Sequence, residues 1–378
     1  MSVGARRTHM VQSTDVFVIG GGPAGLAAAI AARQRGLSVV LADGNKPPVD
    51  KPCGEGLMPD TLAALRQLGV EVSPTDGFPF RQIKFVDRRA SISAAFPTSC
   101  GVGLRRTMLH RKMLDRAAAL GVELLWETAV VGIGGRGVTL AGGVEIEARW
   151  IVGADGGQSR VRRWAGLGTS GRRRARFACR GHFAVAPWAE GVEIHWADNA
   201  QAYVTPVSGA EVCVVVVSQE PTRDLKLALT EFPELAQRLQ CERLSRPVRG
   251  AVTTMRRLRK VYRGNVALIG DASGSVDAIT GEGLSLSFLQ AEALADAMVE
   301  NDLSVYQRAH RKMARRPTFM ARLLLLLDGR PRLRRRTFAA FTNHPELFAR
   351  LISIHVGETS PVHFATTCVM LGWQFLAA

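Results

Sequence analysis

The 378 residues exceed what one compact core usually organises, so two structural units, or one large unit carrying an insertion, are expected. Hydrophobic residues make up 47% of the chain, yet no apolar run approaches the roughly 20 residues that cross a bilayer, and the longest leucine run stops at 323–327. The net charge of +16 is mostly arginine spread over segments such as 172–174, 256–260 and 330–336. No nucleic-acid-binding module accompanies these runs, so the charge reads as solvated surface with an attraction for anionic cofactors rather than as a nucleic-acid footprint.

The six cysteines (Cys53, Cys100, Cys179, Cys213, Cys241, Cys368) form no C-x-x-C pair. That speaks against a metal site and for a reduced, cytoplasmic protein. Arg6 and Arg7 are followed by a polar stretch instead of the apolar core of a secretory signal, and residues 1–14 are expected to be poorly ordered. Residues 15–45, DVFVIGGGPAGLAAAIAARQRGLSVVLADGN, read as strand, glycine turn, alanine-rich helix and second strand. Gly20 suits the tight turn, Gly22 the approach of a pyrophosphate and Gly25 close packing of helix on strand, with the phosphates on the helix start at Pro23 and Ala24. Asp43, at the end of the second strand, suits the ribose hydroxyls of FAD or NAD.

Further along, Arg106, Leu109 and LDRAA at 114–118 read as a basic amphipathic helix. Gly132, Gly134 and Gly137 repeat the glycine spacing, but a hairpin-like alternation follows them and no helix is there to cap a phosphate. A strand at 150–154 ends in Asp155, Gly156 and Gly157, where the chain must turn tightly. Alternating runs between 171 and 258 read as an antiparallel sheet. NVALIGDASGSVDAITGEGLSLSFLQAEALADAM at 265–298 is a strand, an acidic glycine turn at Gly270 and Asp271, and a long helix opened by Gly281, Glu282, Gly283 and Leu284. For Asp271 alone, a helix N-cap is the plain alternative. Beyond 303 the chain reads as helices broken at Pro317, Pro331 and Pro345.

Over 15–300, four of these segments in this order resemble the single-domain-Rossmann flavoproteins that include p-hydroxybenzoate-hydroxylase-type monooxygenases, flavin-dependent halogenases and geranylgeranyl reductases. The resemblance implies an α/β fold: a Rossmann-like FAD-binding domain (15–75, 100–170, 260–302), an inserted antiparallel β-sheet substrate domain of α+β type (76–99, 171–259) and a C-terminal helical region (303–378). It also implies that Arg106 approaches FAD. The 152–163 segment, with Asp155, Gly156, Ser159 and Arg162 on the matching positions, would touch the flavin and the pyridine nucleotide. Asp271 would hold the ribityl chain, and the helix start at 281–284 would face the flavin pyrimidine. The resident dinucleotide is then FAD, with NAD(P)H as transient reductant.

The substrate reads as a hydrophobic small molecule. Monooxygenation of a phenolic, polyketide or lipid-like compound is favoured as the commonest activity of the fold; reduction of a carbon–carbon double bond in an isoprenoid or lipid is the alternative. Two departures from the hydroxylases favour the latter: Gly274 where they carry histidine, and KPCGEGLMP at 51–59, which resembles the reductase branch. The lysine and W-x-W-x-I-P segment of halogenases are not found. Cys53, Glu282 and Tyr203 are the catalytic candidates, with His195, Trp196 and Pro206 as further pocket candidates; for Cys53 a small buried thiol is the plain alternative. A peripheral membrane contact through 323–327, the basic residues after it, Phe338 and Phe341 is weighed against an ordinary helical cap, which is preferred. A flavin-binding, membrane-associated protein without turnover is the non-enzymatic alternative.

Overall fold

A computed structural model describes residues 13–357 apart from 89, 98, 169–174, 223, 240 and 241. Of the segment expected to be unordered, Ser13 and Thr14 already belong to the first strand, Ser13–Ile19, and the rest lies outside the described residues. That strand is central in a sheet ordered Tyr262–Arg263, Val266–Leu268, Glu145–Gly153, Ser13–Ile19, Val39–Ala42, Glu123–Leu125. The last five of these strands run parallel, and a hairpin of Val130–Gly134 and Gly137–Leu140 is appended to Glu145–Gly153. Val16, Phe17 and Val18 are fully buried because both faces of a parallel sheet are covered. The alanine-rich helix Pro23–Gln34 and the 17-residue helix Gly283–Val299 pack together beside this sheet.

Register decides where chemistry gathers. Ile19 pairs with both Gly153 and Ala42, and Gly153 pairs with Leu268. Four neighbouring parallel strands therefore end level, and the turns after them, at Gly20, Asp43, Asp155 and Gly270, share the carboxyl edge where open α/β sheets bind ligands.

A second sheet is ordered Arg249–Thr254, Ala175–Phe183, Glu211–Ser218, Ala200–Ser208, Gly191–Trp196, Gln82–Asp87, Ala90–Ala95. It is not wholly antiparallel: Gly191–Trp196 and Gln82–Asp87 run parallel, because the chain leaves for the first sheet between them. Phe78–Phe80, within the stretch assigned to this sheet from sequence, instead joins Gly56–Leu57 and Gly101–Gly103 in a small three-stranded sheet. Helices Leu225–Leu229 and Pro233–Leu239 cover one face of the large sheet, while Arg315–Asp328, Pro331–Asn343 and Pro345–His355 cover the other. Pro331 and Pro345 occupy first helical positions, and Pro317 sits in the first turn of its helix, where its missing N–H costs nothing. Phe85 stacks on Phe338 in this interface and meets Phe348 edge to face, with the latter ring centroids 4.9 Å apart. No described helix is long and apolar enough to cross a membrane.

Candidate cofactor and active site

The three glycines of the first turn behave differently toward an added Cβ. At Gly20, whose φ is +113°, it would lie 2.5 Å from the Ala154 carbonyl oxygen, and at Gly25 only 1.8 Å from that of Gly20. Both are therefore packing glycines. At Gly22 it would meet open space, as the pyrophosphate reading requires. Asp43 braces the turn: one carboxylate oxygen accepts from the Gly21 N–H at 2.7 Å, the other from the backbone and side-chain amides of Asn45 at 2.8 Å. His110, on the helix Arg106–Ala119, sits 2.8 Å from the Gly21 carbonyl. Burial holds its pKa down, so the neutral ring donates from Nε2.

In the second turn Asp155 Oδ2 accepts from the N–H groups of Arg160 (2.6 Å) and Val161 (3.1 Å), while Oδ1 is buried with no hydrogen-bond partner among the described residues. Arg162 donates to Gly157 O at 2.8 Å and to Ala272 O at 3.0 Å, tying this turn to the acidic glycine turn. Gly270, at φ +58°, is held from behind: Ser273 Oγ donates to its carbonyl at 2.8 Å. Since that hydroxyl has one proton, His310 Nε2, 2.9 Å away, is the donor to Ser273, consistent with burial pushing the His310 pKa down to about 4.

Asp271 is open to solvent yet surrounded by protein, as at the floor of a cleft; this burial raises its pKa against Lys51, Arg106 and Arg256. An added Cβ at Gly157, Gly281 or Gly283 would meet nothing within 4 Å, and Gly281 is left-handed at φ +67°. The N-terminus of Gly283–Val299 thus points its free N–H groups into the same opening. Open glycines on three turns, the orphaned Asp155 Oδ1 and Arg106 Nε, and three cations around one carboxylate fit a dinucleotide lying across the sheet edge.

The catalytic candidates do not converge. Glu282 is 4% exposed and turned away from the helix start, with Arg316 Nη2 at 3.5 Å and His355 Nδ1 at 3.7 Å. Burial raises its pKa, and it serves as an anchor for the C-terminal helices. Tyr203 donates to Ile279 O at 3.0 Å beside the turn that precedes Gly281, and its pKa is pushed far up by burial. Cys53 is half-buried, its Sγ accepting from Glu55 N at 3.5 Å.

The further pocket candidates are corrected. His195 pairs across the sheet with Ala202 and faces the helices Leu225–Leu229 and Pro233–Leu239, bound to Glu193 at 3.2 Å. Trp196 shares the face of Tyr203 but is 2% exposed against Phe85 and Phe338. Strand alternation turns Pro206 with Val204 to the outer face, and its carbonyl abuts Gly103. Phe338 and Phe341, each 2% exposed, and Leu324 and Leu327 lie in the core, which removes them from any membrane surface.

Sequence reasoning missed the residue that joins the two sheets. Glu55, 2% exposed at φ +59°, accepts from Arg106 N (3.0 Å) and Arg180 Nη1 (3.2 Å) on one oxygen and contacts His182 Nε2 (2.7 Å) with the other. Its only linear signal is an acid between two glycines. With Cys213 these side chains offer a metal-like donor set, but the Arg180 guanidinium already supplies the positive charge there.

Comparison with known proteins agrees with this geometry. A family model described as an FAD binding domain matches residues 13–301. A menaquinone reductase of Mycobacterium tuberculosis is 28% identical over 324 residues, covering 77% of this chain and 78% of the relative. A digeranylgeranylglycerophospholipid reductase of Methanothermobacter thermautotrophicus is 28% identical over 337 residues, covering 78% and 80%. Among solved structures, a flavoprotein/dehydrogenase of Cytophaga hutchinsonii superposes with a TM-score of 0.80 over 91% of this chain and 93% of its own, at 21% identity, a likeness of fold.

Proposed function

The chain belongs to the FAD-binding domain family and is an FAD-dependent oxidoreductase, and from that premise we propose that it reduces a carbon–carbon double bond of an isoprenoid or similar lipid, with NAD(P)H as transient reductant. The observation that carries this reading is the apolar layer beside the turn before Gly281. Met58, Tyr203, Met255, Val276 and Leu323 are partly buried against a core containing Val192 and Ile279. The Tyr203 hydroxyl is already given to Ile279 O. A phenol seated among these groups would depend on the Tyr203 hydroxyl oxygen as acceptor, whereas a polyprenyl chain has no polar group to satisfy. Two relatives are named as reductases of menaquinone and of a geranylgeranylated phospholipid, in keeping with such a substrate.

The Gly20 to Gly25 turn would hold the pyrophosphate, Asp43 the adenosine ribose, Asp271 the ribityl chain, and the helix start at Gly281 and Gly283 the pyrimidine. When bound and reduced by NAD(P)H, the flavin would supply a hydride to one carbon of the double bond and a proton would complete the other. The chain's part is to present the positive helix end where negative charge gathers and to keep water from the apolar layer.

Monooxygenation would use the same cradle, and one experiment separates the two. Enzyme, NAD(P)H and a geranylgeranyl lipid are mixed without O2; a mass gain of two hydrogens is expected. Substrate-stimulated O2 uptake with a gain of one oxygen, and no anaerobic product, overturns the reductase reading. Protein that stays colourless after incubation with FAD overturns both.

A further inference from the structure

The strand Glu123–Leu125 ends level with Val39–Ala42, Leu125 pairing with Ala42, so Trp126 emerges at the same carboxyl edge as Asp43. The chain there is tied to the Asp43 turn. The Asp43 N–H donates to Leu125 O at 3.0 Å, the Thr128 N–H to Asp43 O at 2.9 Å, and Thr128 Oγ1 to Trp126 O at 3.0 Å. The Trp126 indole is half-buried, and the His110 imidazole flanks it with ring centroids 5.9 Å apart. Its six-membered ring abuts the first glycine turn: a Cβ added at Gly21 would lie 2.5 Å from Trp126 Cζ3 and 2.6 Å from Cη2, with Asp43 Cβ 3.1 Å away. Gly21 is therefore glycine for a different reason from Gly20. Its φ is not positive and the three atoms nearest that Cβ all belong to side chains, so what excludes a side chain at 21 is the indole itself. Packing alone does not call for this pair, since an alanine at 21 beside a smaller residue at 126 would fill the corner equally well.

From this juxtaposition we infer that Trp126 is the platform on which the adenine of bound FAD stacks. The adenine is bonded directly to the ribose that Asp43 suits, so it lies within a few ångströms of the Asp43 side chain, where the large aromatic surface is the Trp126 indole. A purine face stacks on an indole without needing a charge or a hydrogen bond from it. The isoalloxazine is not the ring concerned. The turn of Gly270 and Asp271 follows Val266–Leu268, four strands along the sheet from Glu123–Leu125, and four strand spacings are about 19 Å, on the scale of an extended dinucleotide. Only the FAD assignment is needed for this, whichever reaction the flavin carries out.

The test uses the full-length chain. Trp126→Ala is expected to weaken FAD binding by about fivefold to a hundredfold, the range of one base–aromatic stack, and Trp126→Phe to recover most of the loss, both read by titration of flavin fluorescence. A readout that a purely structural role would not move is quenching of tryptophan emission by ADP in the FAD-free chain. ADP does not absorb where tryptophan emits, so it quenches only an indole that it touches. Of the six tryptophans Trp126 alone should respond, giving quenching in the parent and none in Trp126→Phe. Gly21→Ala should lower the melting temperature of the parent and do so much less in the Trp126→Ala background, where the colliding ring is gone. FAD affinity unchanged in Trp126→Ala, a Phe variant no better than the Ala variant, ADP quenching absent from the parent or surviving in Trp126→Phe, or an equal cost of Gly21→Ala in both backgrounds overturns the inference.

Discussion

Deleting the Glu55 carboxylate should separate two energies that meet at one residue. Glu55→Ala removes the acceptor shared by Arg106 N and Arg180 and the 2.7 Å contact with His182. Breaking a buried charged pair costs about 3–5 kcal/mol. Arg180 keeps its two-pronged bond to Asp50, at 2.9 Å on each prong, so the lower end, about 3 kcal/mol, applies to this variant. Glu55→Gly loses the same bonds but escapes the left-handed penalty at φ +59°, recovering about 1 kcal/mol. At about 2–4 °C per kcal/mol, the Ala variant should melt about 6–12 °C below the parent and the Gly variant between the two. Differential scanning calorimetry with and without FAD measures this. An unchanged melting temperature, or a Gly variant no more stable than Ala, would refute the junction and the strain respectively.

The two classes of glycine predict opposite losses. Gly22→Ala adds a methyl to open space and should weaken FAD binding with little change in the stability of the FAD-free protein, whereas Gly25→Ala collides with Gly20 O and should destabilise the fold, as chemical denaturation of both would show. Asp271→Ala should weaken FAD retention tenfold to a hundredfold, from a charge-assisted hydrogen bond of about 1.5–3 kcal/mol; unchanged affinity by fluorescence titration would remove it from the site. His310 has a folded pKa of about 4 against about 6.5 when unfolded, so its neutral form is the folded one. Its contribution is present above pH 6.5 and is lost as pH falls toward 4, by at most about 3 kcal/mol. His310→Gln should flatten the decline of melting temperature between pH 7 and 5, and an identical decline would contradict the assignment.

The glycine turns at the sheet edge were legible in the linear chain because they are local. A turn that needs a left-handed residue or an approaching ligand demands glycine, and a buried parallel strand demands an unbroken apolar run; both leave marks within a dozen residues, as at Gly20 to Gly25 and at Gly270 and Asp271. The small helix–strand offsets also gave Arg106 its place, since the helix begins at that residue.

What the tertiary structure decided is which way side chains point and what they meet across the chain. Strand parity sent His195 to the outer face and Tyr203 to the inner one, a choice that slipping the register by one residue would reverse. Glu282 opens the long helix as its sequence suggested, yet its carboxyl is drawn to Arg316 and His355, 34 and 73 positions on. Phe338 and Phe341, apolar residues in a basic helix, could face lipid or core, and the second sheet claimed them. Glu55 finds Arg180 and His182 more than a hundred residues away, where a buried carboxylate needs partners that no local pattern can specify.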